Sequence, residues 1–161
     1  MSIQLLYMKE LNDILKNKAD MPLSRATAVN IYYTASWMKE DFLLALKPYD
    51  LSVEQFNVLR ILRGQHGNPI NLQDIQERMI SKMSNTTRLV DKLIKKNFVQ
   101  RTICKSNRRK VEILITDLGL QTLETMDPII DATEENMTKN LTQEELIQLN
   151  TLLIKLKNKS L

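Results

Sequence analysis

Ser84, Asn85, Thr87 and Arg88 put two hydroxyls, an amide and a guanidinium into one short segment, and Lys92 and Lys95 follow at helical spacing. A guanidinium can make paired hydrogen bonds to N7 and O6 of guanine, and an amide can pair with adenine. Ammonium groups are better suited to phosphate. Farther on, Lys105, Arg108 and Arg109 concentrate cations of the kind that enter a narrow minor groove. Taken alone, Arg88, Lys92 and Lys95 would be an ordinary solvated helix face, with Asp91 paired to Lys95 at i,i+4. The charge distribution argues for more. Ten Lys or Arg residues lie between Lys82 and Lys110 against one acid, Asp91, whereas the rest of the chain carries thirteen basic and eighteen acidic residues. A segment at +9 in a chain otherwise at −5 concentrates a positive field where a phosphate-binding surface needs it.

The elements that must position these groups are written in local code. Three helix starts pair a polar cap with an acid or amide three residues later, with an apolar staple across the junction. They are Ser52/Gln55 with Leu51 and Phe56, Asn71/Asp74 with Ile70 and Ile75, and Thr142/Glu145 with Leu141 and Leu146. The first predicts a helix with Phe56, Leu59 and Leu62 inward, ending before the turn at 64–69. The second predicts a short helix from Leu72 to about Met79. Ser81 is the expected cap of a further helix reaching Asn97. On it, 100° per residue sets Met83, Thr86, Thr87, Leu89, Val90, Leu93 and Ile94 on an apolar side, opposite Ser84, Asn85, Arg88, Asp91, Lys92, Lys95 and Lys96. Thr87 falls at the edge of the apolar face, which gives it a structural use as well. Val99, Arg101 and Ile103, then Val111, Ile113 and Ile115, alternate with polar neighbours around a basic tip, as in a two-stranded hairpin. Helix, turn, helix, hairpin is a winged helix-turn-helix.

The ends of the chain read as helical. Ile3, Leu6, Leu11, Ile14 and Leu15 suggest an amphipathic helix, and Ser24 starts a longer one through Leu46. Thr116 caps a helix carrying Leu120, Leu123, Met126, Ile130 and Met137, with a bend expected at Pro128, and Leu146, Leu149, Leu152, Leu153 and Leu156 stripe the last. A small winged-helix core cannot cover all these faces, so the flanking helices are expected to pack across a two-fold axis, as a homodimer. The expected organisation is a single domain over 1–161, mainly α. A DNA-binding lobe occupies about 51–116, and 1–50 and 117–161 form a helical dimerisation region.

The strings LSVEQFNVLRIL, NLQDIQERMISKMSNTTRLVDKLIKKNFVQR and NRRKVEILITDLG occur in the order and at the spacing of the multiple-antibiotic-resistance regulator (MarR) family, which the chain resembles over roughly residues 30–158. The most specific piece is TRLVDKL, followed by an Arg, a basic wing tip and a strand ending in ITDLG. The resemblance implies a dimeric winged-helix repressor or activator whose second motif helix enters the major groove while the wing tip reaches the minor groove. It assigns Ser84, Asn85, Thr87 and Arg88 to the base-facing turns and Arg109 to the wing. The family's wing usually reads Asp-x-Arg, whereas this chain has Asn107 in the first position, so a bracing ion pair is lost.

Other candidates have both plain and functional readings. Tyr32, Tyr33, Trp37 and Met38 cluster on one helix, as dimer or lobe core, or as part of the crevice that in the family holds small aromatic or phenolic effectors; His66 lies in a Gly-bounded turn. A lone histidine without a second His or Cys nearby does not make a transition-metal site. Cys104, beside Arg101 and Lys105, is either an incidental strand-end residue or a thiol with a lowered pKa. No phosphate loop, HExxH pair or nucleophile with a plausible base is present, so neither an enzyme nor a cofactor is expected. No apolar run approaches the ~18 residues of a membrane helix. That, a lone cysteine and an N-terminus without a signal-peptide pattern point to a cytoplasmic protein with no membrane partner. The leading expectation is a homodimeric, sequence-specific regulator of duplex DNA; its rival is a winged-helix module that docks an acidic protein or RNA. The small polar residues at 84–87, and the presence of only Phe98 as a nearby stacking aromatic, favour base reading.

Overall fold

The computed structural model describes residues 12–14, 16, 21–103 and 111–157. The chain divides into two compact units, 1–41 and 42–161. Helix α1 (Leu23–Leu46) begins after Pro22 and runs across the division. The helix expected near the N-terminus lies outside the described residues except at 12–14, which are helical.

Within the second unit, a 3₁₀ turn (Lys47–Tyr49) leads to Asp50, which holds a left-handed conformation at φ 52°. Helix α2 (Val53–Arg63) then opens with both reciprocal bonds of a capping box. Gln55 N–H donates to Ser52 Oγ at 3.2 Å and Ser52 N–H to Gln55 Oε1 at 3.0 Å. The cap explains how a polar Gln55 comes to be buried: its side-chain oxygen satisfies an orphan backbone donor. Phe56, Val58, Leu59 and Leu62 form the buried face, each contributing about 1.5–3 kcal/mol by leaving water.

Helix α3 (Leu72–Arg78) carries the second capping box, Asn71 with Asp74, and helix α4 (Thr86–Lys95) follows after a turn. The hairpin is β1 (Val99–Ile103) antiparallel to β2 (Val111–Ile115), with Val99 opposite Ile115 and Ile103 opposite Val111. Ile70 adds a bridge that alternation does not reveal: it exchanges both backbone hydrogen bonds with Ile113, at 3.1 and 2.7 Å. The residue that staples α3 thus also anchors the sheet. Helix α5 (Asp117–Thr138) is capped by Thr116 and continues through Pro128. Helix α6 (Gln143–Lys157) starts with the third reciprocal pair, Thr142 and Glu145. Leu46, Leu59, Ile75, Val90, Ile113 and Leu123 lie fully buried in one core, which draws on the last residue of α1, α2 to α5 and β2 together. The architecture is a mainly α winged helix-turn-helix with a two-stranded wing and flanking helices.

Arg63, at the end of α2, donates to both carboxylate oxygens of Asp127 in α5, at 2.6 and 3.0 Å. The hydrogen bond to Asp127 raises the guanidinium pKa, outweighing the opposing effect of burial. The pair is about one-third exposed, so its contribution is screened. Asp127→Asn should cost about 1 kcal/mol in urea unfolding. Asp131, which adds only a longer-range attraction to Arg63, is the control. Equal losses for Asp127→Asn and Asp131→Asn would show that the paired geometry stabilises nothing.

Candidate nucleic-acid interface

The N-cap of α4 is Asn85, whose Oδ1 accepts the Arg88 N–H at 3.0 Å. This corrects the expected start at Ser81: residues 80–84 form a bend and turn, and the helix ends at Lys95, short of Asn97. The turn is held on several sides. Ile80 N–H donates to Asn57 Oδ1 at 3.0 Å, Gln76 Nε2 to the Lys82 carbonyl at 2.7 Å, and Ser84 N–H to the Ser81 carbonyl at 3.2 Å. The buried Thr86 hydroxyl donates to Gln76 Oε1, so one amide clamps α3, the turn and α4 together. Sequence reasoning misses Gln76, because nothing in its spacing separates it from a solvated polar residue.

At the other end of α4 the chain turns into the hairpin through a left-handed Asn97, φ 60°. Phe98 N–H reaches the Leu93 carbonyl at 3.0 Å and Asn97 N–H that of Ile94 at 2.9 Å, the paired bonds of a Schellman ending. Asn97 is among the few residue types that tolerate this conformation.

Thr86, Val90 and Leu93 form the buried stripe of α4, while Asn85, Thr87, Arg88, Lys92 and Lys95 are exposed and Ser84 is half-buried. Two assignments of the helical wheel change. Thr87 is fully on the exposed side, and Met83, placed with the core, is 95% exposed, because the wheel extends back through residues that are not helical. Asp91 pairs with Arg101 of β1 at 2.6 Å, in place of the expected Lys95. Lys96 is paired with Asp50, and its ammonium holds the Asp50 carboxyl below its ordinary value by hydrogen bonding first and by charge second. Arg88, Lys92 and Lys95 take part in none of these ion pairs among the described residues. The basic segment is thereby sorted into cations that brace the fold and cations turned outward.

Lys105, Arg108 and Arg109, with Cys104 and Asn107, lie outside the described residues. On α1, Tyr32 is 81% exposed, Tyr33 and Trp37 are also exposed, and Met38 is half-buried. His66 is exposed at φ 51° in the turn after α2. A crevice of about 400 Å³ in the second unit is instead lined by Phe42, Val53, Phe56, Arg60, Ile80 and Glu134, among others. Among the described residues no group of His, Cys, Asp or Glu is arranged to hold a metal, and no helix is long and apolar enough to cross a membrane.

A winged helix-turn-helix with an outward cationic face on its second motif helix defines a class of regulator, and similarity to known proteins narrows it. The MarR family model matches residues 51–111. The HTH-type transcriptional regulator YfiV of Bacillus subtilis (strain 168) is 34% identical over 91 residues, 56% of this chain, which spans half the length of that relative. The HTH-type transcriptional repressor IacR of Pseudomonas putida is 27% identical over 84% of this chain and 77% of its own. The crystal structure of a mutant MarR from E. coli complexed with operator DNA superposes with a TM-score of 0.74 at 25% identity, covering 91% of this chain and 97% of that one. Over residues 51–111 the chain matches the MarR family model, and it is similar to curated HTH-type transcriptional regulators and to the operator-bound MarR structure.

Proposed function

We propose that the protein is a homodimeric repressor that binds a pseudo-palindromic operator and releases it in response to a small aromatic or phenolic effector. The observation that carries the DNA reading is the division of α4: Thr86, Val90 and Leu93 are buried, and Asn85, Thr87, Arg88, Lys92 and Lys95 face outward, the three cations outside the ion pairs that brace the fold. Arg88, with Ser84, Asn85 and Thr87, is proposed to read base edges; Lys92 and Lys95 hold phosphate. Lys105, Arg108 and Arg109 are proposed for the adjacent minor groove. The MarR relative bound to operator DNA and the repressor IacR support this reading. Selection of bound duplexes from a random pool tests it. An enriched pseudo-palindrome is expected, and a pool that converges on no motif overturns base reading.

The homodimer rests on uncovered apolar surface. Helix α6 has no buried residue, and Ile147, Leu152, Ile154 and Leu156 are all more than half exposed. Covering that face by a second copy would remove the cost of leaving it in water. Equilibrium sedimentation should give a dimer at micromolar concentration, and deletion of residues 139–161 should give an aggregating or poorly folded species. A stable, monodisperse full-length monomer would contradict the proposal. For the effector, Tyr32, Tyr33, Trp37 and Met38 are the proposed contacts in the first unit, and His66 in the second is a separate candidate. Trp37 is the chain's single tryptophan, so its fluorescence should respond when a phenolic ligand that lowers operator affinity is added.

A further inference from the structure

We propose that Met83 is a specificity-determining residue that recognises a thymine methyl group in each operator half-site; this rests on the base-reading role of α4 proposed above. A single exposed methionine is common on protein surfaces and by itself needs no explanation. Its setting here is different. Met83 lies just before the N-cap of the outward helix and lines one groove with Ser84, Asn85, Arg88 and Lys92, beside Glu54 and the half-buried Leu89. The backbone that presents it is held by the Ile80–Asn57, Gln76–Lys82 and Ser84–Ser81 hydrogen bonds, so its 95% exposure is built into the turn.

The chemistry of the partner follows from what is missing in this group. Ser84, Asn85 and Arg88 offer hydrogen-bonding groups for base edges, and Lys92 offers charge. None of them gains from an apolar surface. In the major groove the one apolar handle is the thymine C5-methyl, which otherwise stays in water. A thioether side chain with three rotatable bonds can follow that methyl without a strict orientation. Contact between them removes apolar area from water on both sides, and does so only at a site where thymine stands.

The test uses the full-length protein and the duplex obtained by selection. Each thymine of a half-site is replaced in turn by uracil, which deletes the methyl and keeps the hydrogen-bonding edge. For the parent, one replacement should weaken binding about fourfold, the effect of one buried methyl. Met83→Ala should bind the thymine and uracil duplexes equally, with an unchanged salt slope. Met83→Leu should restore the discrimination. The inference is overturned if no uracil replacement affects the parent, or if Met83→Ala discriminates as well as the parent does. A selection that converges on no motif removes base reading itself, and the two failures are distinguished because selection precedes the methyl exchange.

Discussion

Gly119→Ala should lower stability by about 3 kcal/mol, the upper end of the cost of overpacking, and move the thermal midpoint down by roughly 10 °C. A Cβ at this position would sit 2.3 Å from the Phe98 carbonyl oxygen and 2.8 Å from Ile115 Cγ1. The carbonyl cannot retreat freely, since it accepts the Thr116 N–H at 3.0 Å. Thr116 is fixed in turn: its hydroxyl donates to the Asn97 carbonyl at 2.7 Å and accepts the Gly119 N–H at 3.1 Å. The added methyl therefore displaces the junction of α4, β2 and α5 as a unit. Gly64→Ala supplies the contrast, because its Cβ would meet only the Arg60 and Ile61 carbonyls at 3.5 Å and its φ of −64° suits any residue. That substitution should be neutral or stabilise by about 0.4–1 kcal/mol through the unfolded chain. Equal losses for both variants would show that the close approach at Gly119 does not limit stability.

Arg88→Ala should cost about 1–3 kcal/mol of operator affinity and relax preference at one base pair per half-site. Arg88 is the cleanest of the proposed base contacts to remove. The Asn85 side chain caps α4 through the Arg88 backbone N–H, so Asn85→Ala would fray the first turn along with any base contact it deletes. The Arg88 guanidinium enters none of the fold-bracing ion pairs among the described residues, and its loss should leave the fold intact. Lys95→Ala should weaken all duplexes alike and reduce the salt slope by about 1. If Arg88→Ala leaves both motif and affinity unchanged while the protein stays folded, the reading face has been assigned to the wrong side of α4.

The parts of this protein that neighbouring residues determine are legible in its sequence. Capping boxes at Ser52/Gln55, Asn71/Asp74 and Thr142/Glu145 span four residues each, and all three form. Alternation around a basic tip identifies β1 and β2, and the 3.6-residue period identifies Val90 and Leu93 as core. These signals are local because a cap, a strand and a helix stripe each satisfy backbone groups or apolar faces within a few residues. The wheel fails where its premise does, at Met83, which precedes the helix it is counted on.

What the tertiary structure decided is which residues meet across long stretches of chain. Lys96 and Asp50 are 46 residues apart and Arg63 and Asp127 are 64 apart, so no spacing rule pairs them. The Lys96 pairing, with Arg101 to Asp91, divides a strongly basic segment into bracing cations and the outward Arg88, Lys92 and Lys95. Gly119 reads in sequence as the end of ITDLG, and only the approach of the Phe98 carbonyl makes a side chain there costly to accommodate. Charge and periodicity state what a residue is able to do; packing determines which of those abilities remains available, because each buried or paired group is already committed to a partner.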